Sequence, residues 1–526
     1  MRDEVVGRLN RTGLAAGLVA MVVMLAVMLF IRAVLEIPSL PEMIADAFTL
    51  VLPVSVFSIL LGALEARAKF LLVAGLVIGH LVLGALLGML YARVWGRYSM
   101  RSSRGPWPGE PWTAGLLLSA GMWIAATVVV MPAAGAGVLG LASRVGPFPL
   151  ALSTLAASVA FGISLVAFFQ GLLAGQPVMA GEIPKVDLER RALIMRLATV
   201  PVALILAGGL WQLLGRQGTG GLQEMEGSSN PKPRGSLPDE ITPVGQFYNV
   251  SKNLKDPVVN ITDWSMDLRV QGGKRLTLKY DDLKSLPSVE QVATLICISN
   301  ELGGDLIGNA RWTGVRLRDL LARVGATSGV DVVLRARDGY ADSIPFEKAM
   351  QEGTVLAYRM NGQPLTSAHG FPARLIVPGI YGMKNVKWVT AIEVVDHDFK
   401  GYWQERGWSD VATINTMSRL DVPAKGSTLP LGPLDLGGIA FAGDRGISKV
   451  EVSADAGSTW MEMTLKQALS PYAWSLWTGR WEPSRTDDYV LLVRAWDGQG
   501  QVQERTDRDP LPDGATGYDS LPLTLR

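Results

Sequence analysis

Long runs of apolar residues set the first 215 residues of the chain apart from the rest. Five of these runs, each about 20 residues long and nearly free of charge, have the length of an α-helix that crosses a bilayer. They cover residues 13–31, 70–92, 113–131, 149–175 and 192–214. A sixth run, residues 47–64, is about long enough, but it contains Pro53 and is flanked by acidic residues. The pattern predicts an all-α membrane domain over residues 1–215 with five transmembrane helices.

The basic residues give these helices a predicted direction. If residues 47–64 form a re-entrant or interfacial segment, ten basic residues lie on the inner side and four on the outer side. The inner ones are Arg2, Arg8, Arg11, Arg93, Arg97, Arg101, Arg104, Lys185, Arg190 and Arg191, and the outer ones are Arg32, Arg67, Lys69 and Arg144. A sixth span would put the four arginines of residues 93–104 outside, against the positive-inside rule. We therefore expect the N-terminus inside and everything after residue 215 outside.

Residues 216–244 are polar and rich in Gly, Ser and Pro, which predicts a linker. Beyond the linker, the chain has two textures. In residues 245–410 strand-like runs alternate with helical ones, such as VRLRDLLARVG, which places Leu317, Leu320, Leu321 and Val324 on one helical face. Residues 411–526 are all β in character, with Val450 and Val452 on one face of a strand. Two further domains are therefore predicted, an α+β domain and a β-sandwich.

Arg190 and Arg191 directly precede the fifth apolar run, in the segment LERRALIMRL. A twin arginine before a moderately apolar stretch is similar to a twin-arginine export signal, here used as an uncleaved anchor. Two ordinary flanking arginines on the cytoplasmic side would give the same dipeptide, and both interpretations stay open. The first would imply that the region beyond the anchor is folded before it crosses the membrane.

Composition excludes several classes of function. The net charge of +1 gives no electrostatic basis for nucleic-acid binding. A single cysteine excludes an internal disulfide and a zinc site with several thiolates, and three histidines leave little for a haem.

The single cysteine, Cys297, stands at the end of an apolar, strand-like run in the segment ATLICISNELGG. A lone cysteine is most simply a small buried apolar residue. A thiolate is also a strong, soft metal ligand. Three later segments place Asp338, His369, Arg374 and Lys387 in turns rich in Gly and Pro. One thiolate and several cations suit a metal that is carried by a phosphorylated organic ligand.

The ordered segments ATLICISNELGG, NARWTGVRLRDLL, SIPFEKAM, LAYRMNGQPLTSAHGFPARLIVPG and VKW resemble the sulfite oxidase family of molybdenum enzymes, and KVEVSADAGSTW, VRAWDGQGQVQ and DGATGYDS resemble its second domain. The resemblance covers about 280 of the 526 residues. It implies an α+β sulfite-oxidase-like molybdopterin domain and a C-terminal immunoglobulin-like β-sandwich of the dimerisation type. Together with the all-α transmembrane helical region predicted from the apolar runs, it suggests a membrane-anchored bacterial type of this family.

The resemblance also implies a site. It assigns the molybdenum of a single molybdopterin to Cys297, and the contacts to the pterin phosphate to His369, Arg374 and Lys387, with backbone help at Asn385 and Val386. Further cofactor contacts are implied at Tyr248, Asn249, Ser251, Lys252 and Asp338. The candidate catalytic residues are Cys297, Lys252 and Trp408.

Three departures from the family pattern concern the substrate. Lys252 stands where animal and plant sulfite oxidases have an arginine, and Glu301 stands where a cation is expected. Trp408 falls near the position of the family's active-site tyrosine, and an indole cannot act as a phenolic acid. With Tyr402 and Trp403, Lys252 and Trp408 are the predicted pocket wall, although aromatic residues there also suit plain packing. The cofactor is therefore more firmly implied than the substrate.

Three functions remain open from the sequence. The first is oxygen-atom transfer to or from a small substrate, for example a sulfoxide or an N-oxide, on the outer face of a bacterial cell membrane. The second is sulfite oxidation with a rearranged anion site, and the third is a non-catalytic, cofactor-bearing membrane subunit. In each case electrons are exchanged with an external protein or a quinone. Whether the chain forms a homodimer is left open.

Overall fold

The computed structural model describes residues 2–35, 37–51, 67–101, 110–134, 136–141, 146–174, 235–253 and 256–526. They belong to two compact units, one formed by the helices up to Ala174 and one that runs from Gly235 to Arg526. The predicted fifth span (192–214), the pair Arg190–Arg191 and most of the segment 47–64 lie outside the described residues.

Long helices make up the described part of the first unit. They are α1 (Arg2–Leu35), α2 (Leu40–Val51), α3 (Arg67–Arg101), α4 (Glu110–Ala125) and α5 (Pro147–Ala174). Helix α4 continues through a π-helical turn, Ala126–Val130, into Met131–Ala133, and a 3₁₀ turn follows at Val138–Gly140. Among the described residues, four helical stretches are long and apolar enough to cross a membrane: Gly7–Arg32, Ala74–Trp95, Pro111–Ala133 and Pro147–Leu173. Each of the first four predicted spans overlaps one of them, although the second prediction begins before Ala74 and the fourth ends after Leu173.

Glycines allow α1 and α3 to pack with their backbones in contact. A Cβ atom on Gly17 would lie 2.1 Å from the carbonyl oxygen of Gly84, and one on Gly88 would lie 2.1 Å from that of Gly13. Membrane helices gain little from apolar burial against lipid, so close approach through small residues is their usual means of association.

The first part of the second unit carries ten strands and three short helices. The strands are β1 (Ser265–Val270), β2 (Arg275–Lys279), β3 (Val289–Ile296), β4 (Ile307–Arg316), β5 (Asp331–Ala336), β6 (Ala341–Pro345), β7 (Val355–Met360), β8 (Gln363–Pro364), β9 (Arg374–Ile376) and β10 (Val389–Val395) among the described residues. The helices are α6 (Tyr280–Ser285), α7 (Leu317–Arg323) and α8 (Phe346–Ala349), with 3₁₀ turns at Val244–Gln246, Gly382–Lys384 and Gln404–Arg406.

These strands form two sheets. One has the order β2-β1-β10-β5-β6, and the other has the order β3-β4-β7-β8 with β9 paired to β7. The predicted helical face is confirmed, because Leu317, Leu320, Leu321 and Val324 are all buried in α7 or just after it. Strand β3, which leads to Cys297, lies at the edge of its sheet.

The C-terminal part is a sandwich of two sheets. Its strands are β11 (Met417–Val422), β12 (Thr428–Leu429), β13 (Leu434–Phe441), β14 (Ile447–Ser453), β15 (Met461–Glu462), β16 (Thr464–Leu465), β17 (Ser475–Trp481), β18 (Asp488–Asp497) and β19 (Asp519–Leu525). The sheet orders are β11-β13-β17-β16 and β12-β19-β18-β14-β15. Trp477 from one sheet and Val450 and Val452 from the other share a core, as the apolar pattern of β14 predicts.

The last ten residues of the predicted linker pack against both parts of the second unit. The amide of Gly235 donates to the carbonyl of Asp421 at 2.7 Å, and Thr242 donates in the same way to Asn309 at 2.8 Å. Composition predicted a linker up to residue 244, but these backbone bonds fasten residues 235–244 to the folded unit. The part of the linker before residue 235 lies outside the described residues.

Candidate active site

Cys297 occupies the first position after β3, at the start of a tight turn. Its amide donates to the carbonyl of Leu306 at 2.9 Å, and its own carbonyl accepts from the amide of Asn300 at 3.0 Å. The side chain of Asn300 closes the turn, because its Oδ1 accepts from the amide of Leu306 at 2.7 Å. The backbone on both sides of the cysteine is therefore fixed by hydrogen bonds.

The thiol of Cys297 is buried, with 7% of the residue exposed, and its Sγ lies 3.0 Å from the Oγ of Ser299. Burial raises the pKa of this thiol, while the hydrogen bond from Ser299 and the positive charge of Lys387 act in the opposite direction. Without a bound cation the thiol is therefore protonated at neutral pH. Coordination to a metal would deprotonate it.

Arg374 is the most deeply buried cation of the predicted phosphate site. It lies at the start of β9 with 6% of its surface exposed, and its guanidinium stacks over the ring of Trp312 at 5.2 Å. Its two terminal nitrogens donate only to carbonyl oxygens, of His369 at 3.3 Å and of Asn385 at 3.4 Å. Its Nε is buried without a hydrogen-bond partner. Burial lowers the pKa of Arg374 to about 10, because the charged form has lost its hydration.

His369 and Lys387 lie on either side of this arginine in the chain. The ring of His369 is buried, and its Nε2 lies 3.0 Å from the carbonyl oxygen of Val244. Burial, joined by the charges of Arg374 and Lys387, lowers the pKa of His369 to about 4. The Nζ of Lys387 donates to Oδ1 of Asn249 at 2.6 Å and to the carbonyl of Ala368 at 2.9 Å. These three side chains come from two segments of the chain and lie close to one another in the structure.

This cluster has the chemistry of an anion site. Buried charges are stable when paired, but within the described part of the chain Arg374 makes two long bonds to neutral carbonyls, and its third nitrogen, Nε, has no partner. Among the described residues, Arg374 forms no ion pair with a carboxylate. A phosphate would supply the missing charge and several acceptor oxygens. The donor set therefore fits the phosphate of a molybdopterin.

The segment around Tyr248 approaches both the thiol and the cations. Tyr248 is buried and stacked on Phe247, with ring centroids 5.4 Å apart. Burial raises the pKa of Tyr248; the negative charge of a Cys297 thiolate acts in the same direction, and the charge of Arg374 opposes it. The space beside its hydroxyl is tight, because a Cβ atom on Gly382 would lie 2.6 Å from it.

Asp256 orients the next two predicted cofactor contacts. It accepts from Nδ2 of Asn249 at 2.6 Å and from Oγ of Ser251 at 2.7 Å. Asp338 lies close to the same segment, because its carboxylate accepts from Nδ2 of Asn253 at 2.8 Å.

Asn385 and Val386 fix the loop that carries Lys387. Oδ1 of Asn385 accepts from the amide of Val377 at 2.7 Å, and Nδ2 donates to the carbonyl of Tyr381 at 3.2 Å. The carbonyl of Val386 accepts from the amide of Leu375 at 2.8 Å. The carboxamide of Asn385 thus acts on the loop.

The predicted pocket wall is a contiguous aromatic group. Trp403 and Trp408 stack with centroids 4.1 Å apart, and Tyr402 meets Trp403 edge to face at 4.9 Å. The Nζ of Lys252 lies 5.5 Å from the centre of the Tyr402 ring. Trp408 is buried in one apolar cluster with Ile296 and Ile298, the two neighbours of Cys297. Glu301, by contrast, is exposed in the turn.

Sequence reasoning missed a buried polar network beneath the Lys387 loop. The Nζ of Lys384 lies 3.2 Å from Oδ1 of Asp342, and Oδ2 of Asp342 accepts from the hydroxyl of Tyr340 at 2.8 Å. The same hydroxyl oxygen also lies 2.9 Å from the carbonyl oxygen of Met383. Burial raises the pKa of Asp342, and the charge of Lys384 opposes that rise. A lysine beside a glycine turn is normally expected to be exposed to solvent. The sequence signal for a buried Lys384 was limited to its position in the segment GMKNVKW.

Known protein families match most of the second unit. The family described as "Oxidoreductase molybdopterin binding domain" matches residues 253–403, and the one described as "Mo-co oxidoreductase dimerisation domain" matches residues 410–509. Mitochondrial sulfite oxidase of Drosophila melanogaster is 31% identical over 326 residues, which are 52% of this chain and 56% of that protein. Sulfite oxidase of Gallus gallus is 31% identical over 325 residues, 52% of this chain and 71% of that protein. The solved structure of the sulfane dehydrogenase SoxCD from Paracoccus pantotrophus is 24% identical with a TM-score of 0.47, covering 53% of this chain and 83% of that one. The chain thus spans little more than half the length of the fly protein.

Proposed function

Because this chain belongs to the sulfite oxidase family of molybdopterin-dependent oxidoreductases, we propose that it is a membrane-anchored enzyme that transfers an oxygen atom to or from a small substrate on the outer face of a bacterial cell membrane. The predicted family and the predicted molybdenum–molybdopterin cofactor are confirmed. The observation that carries the proposal is the buried thiol of Cys297, which lies close enough to Lys387, one of the cations that would hold the cofactor, for the charge of that lysine to lower the pKa of the thiol.

In this proposal, Cys297 is the protein's ligand to molybdenum. His369, Arg374 and Lys387 bind the phosphate, with the backbone of Asn385 and Val386. Tyr248, Asn249, Ser251, Lys252 and Asp338 make further contacts with the cofactor. When bound, the cofactor supplies the oxygen-atom transfer and the accompanying two-electron change. The protein supplies binding, orientation and the charge that holds the phosphate.

The substrate pocket is assigned to Lys252, Tyr402, Trp403 and Trp408. The stacked indoles pack in one apolar cluster with Ile296 and Ile298, the two neighbours of Cys297. Lys252 contributes one cation, which would attract a negatively charged or strongly dipolar oxygen on a substrate. Trp408 has no phenolic proton to give, so proton transfer at this position must come from another group or from water.

The choice of substrate follows from this wall. With one lysine where sulfite oxidases use arginines, a neutral, dipolar S-oxide or N-oxide fits better than a sulfite dianion. Sulfite oxidation is the second candidate, because the fly and chicken relatives carry that name. The intact thiol and phosphate cluster argue against a non-catalytic subunit. Electrons would be exchanged with an external protein or a quinone.

The experiment is a substrate screen on the purified, detergent-solubilised chain. S-oxides and N-oxides are offered with a reduced artificial donor, and sulfite with an artificial acceptor. Cys297→Ser serves as the matched control for adventitious metal chemistry. Turnover of an oxide that the variant lacks supports the first candidate, turnover of sulfite alone supports the second, and no turnover by a molybdenum-loaded chain would favour the non-catalytic subunit.

The membrane topology is part of the proposal. Five spans, with Arg190 and Arg191 before the fifth, would leave the second unit outside, and the twin arginine would export it already folded. Protease added to protoplasts should then reach residues 216–526 but spare residues 93–104. A variant with Arg190→Lys and Arg191→Lys keeps the charge, so loss of the outer domain would report recognition of the signal. Normal export of that variant, or cleavage at Arg97 from outside, would contradict the corresponding part.

The C-terminal sandwich is proposed to be immunoglobulin-like and to pair two chains as a homodimer. Its match to a dimerisation domain supports this. Light scattering of the solubilised chain tests it, and a mass of one chain after correction for detergent would contradict it.

A further inference from the structure

The strand that leads to Cys297 is held along its free edge by the C-terminal sandwich. Strand β3 pairs with β4 on one side only. On the other side, the amide of Thr294 donates to the carbonyl of Tyr472 at 2.9 Å, and Oγ1 of Thr294 accepts from the amide of Trp474 at 2.9 Å. The hydroxyl of Ser470 donates to the carbonyl of Val292 at 2.5 Å. A loop of the second domain therefore completes the edge of the sheet.

The turn that follows Cys297 is held by Arg419 of strand β11. This arginine is buried, and its Nε donates to Oδ1 of Asp421 at 2.8 Å, which satisfies its charge within its own domain. Its Nη1 donates across the domain boundary to the carbonyl of Gly304 at 2.8 Å. The planar fork of a guanidinium makes both bonds possible at once.

Asp519 of strand β19 approaches the neighbouring residue of the same turn. Gly303 has a φ of +66°, and a Cβ atom there would lie 2.4 Å from Oδ1 of Asp519. Oδ2 of Asp519 accepts from the amide of Leu420 at 3.0 Å, which fixes the carboxylate beside Arg419. The turn can approach this closely only because residue 303 has no side chain.

A short series of hydrogen bonds connects Gly303 and Gly304, the residues contacted by the sandwich, to Cys297. The amide of Gly304 donates to the carbonyl of Glu301 at 2.8 Å. The side chain of Asn300 bonds Leu306, whose carbonyl accepts from the amide of Cys297. A displacement of Gly304 therefore changes the backbone on which the thiol is mounted.

We propose that the C-terminal sandwich positions Cys297, with Arg419 and Asp519 as the positioning residues. The inference rests on the proposed ligand role of Cys297. Neither side chain touches the thiol, so each acts through the turn of residues 297–306. The site for the metal is then shared between two domains, although only one of them supplies the ligand.

The test is Arg419→Lys in the full, solubilised chain. Lysine keeps the charge beside Asp421 but cannot donate to Asp421 and Gly304 in the same geometry. We expect amide hydrogen exchange in residues 302–306 to accelerate about tenfold and molybdenum to be lost several times faster on dialysis. Arg494→Lys is the matched control, because Arg494 also bonds a carboxylate at 2.8 Å, that of Glu451, within the sandwich.

Unchanged exchange in residues 302–306 of folded Arg419→Lys would overturn the proposal, and so would an equal acceleration in Arg494→Lys. If Arg419→Lys does not accumulate as folded protein, amide exchange in residues 302–306 is measured in Asp519→Asn instead, and the same outcomes decide the proposal. A wild-type chain without molybdenum would contradict the proposed function, whereas the exchange comparison would still decide whether the sandwich holds the turn.

Discussion

Around Arg374 the candidate site is made of buried charge, whereas around Trp408 it is made of stacked rings. Arg374 has a buried Nε without a partner and a pKa lowered to about 10. Trp408 lies in an apolar cluster with the neighbours of Cys297. The uncompensated charge of Arg374 destabilises the folded protein until an anion binds. The residue types around Arg374 are therefore restricted to those that bind this one ligand. The aromatic part around Trp408 contains no uncompensated charge, so its residue types can differ between enzymes with different substrates. The buried charges therefore identify the cofactor, whereas the stacked rings do not by themselves identify the substrate.

The largest expected effect is that of removing the unpaired cation. Arg374→Met should lower the molybdenum content of the purified chain at least about tenfold, because the phosphate loses a buried guanidinium that stays charged at neutral pH. The same change should stabilise the cofactor-free protein by about 1–3 kcal/mol, since an uncompensated buried charge disappears. Metal analysis and thermal unfolding measure the two effects. Arg374→Lys, which keeps the charge, is the control and should retain more metal. A loss of stability in cofactor-free Arg374→Met would show that the charge of Arg374 is already compensated in the absence of an anion.

The second effect concerns the aromatic part. Lys252→Arg combined with Trp408→Tyr gives the pocket the residue types of sulfite oxidases. We expect sulfite turnover to increase by about tenfold, because a guanidinium binds an oxyanion through two parallel bonds. Trp403→Tyr is the control, since it changes the other indole of the stacked pair. Steady-state rates per molybdenum test this. If neither the rate nor the KM for sulfite changes, the wall does not select the substrate.

How much of this could be predicted from the sequence differs between the two parts of the site. His369, Arg374 and Lys387 stand in recognisable segments, and the structure places them close together. Lys384 and Asp342 lie 42 positions apart, and nothing in the sequence of either segment predicts that the two side chains pair. Such contacts depend on which strands become neighbours, which local patterns do not specify.

The same contrast applies to the fold. Apolar length alone located the four described helices that are long and apolar enough to cross a membrane, because the thickness of a bilayer sets the length of such a helix. Composition failed for residues 235–244, since a Gly- and Pro-rich segment can still be fastened by its backbone, as the bond from Gly235 to Asp421 shows. The bond from Arg419 to Gly304 joins residues 115 positions apart and had no sequence signal.

A third effect, on stability alone, is a pH dependence at His369. Its folded pKa of about 4 lies below the ordinary value of 6.5, so between these values the unfolded chain binds the proton that the folded, cofactor-free protein does not. Stability contributed by the neutral ring is present above pH 6.5 and is lost as the pH falls towards 4, by about 3 kcal/mol in total. Denaturant unfolding of cofactor-free protein between pH 7 and 4 measures this, with His369→Gln as the control that should lack the dependence. A bound phosphate would favour the protonated ring, so the loaded protein should lose less. Identical pH profiles for the loaded and cofactor-free protein would place the phosphate elsewhere.

The most direct test of the account is the sulfur environment of the metal. X-ray absorption at the molybdenum edge, on wild-type chain and on Cys297→Ser, reports how many sulfur atoms surround the metal. The account predicts about one molybdenum per wild-type chain and one fewer sulfur neighbour in the variant, since Cys297 is the protein's thiolate ligand. An unchanged metal environment in Cys297→Ser, or a wild-type chain that binds no molybdenum when cofactor is available, would contradict it.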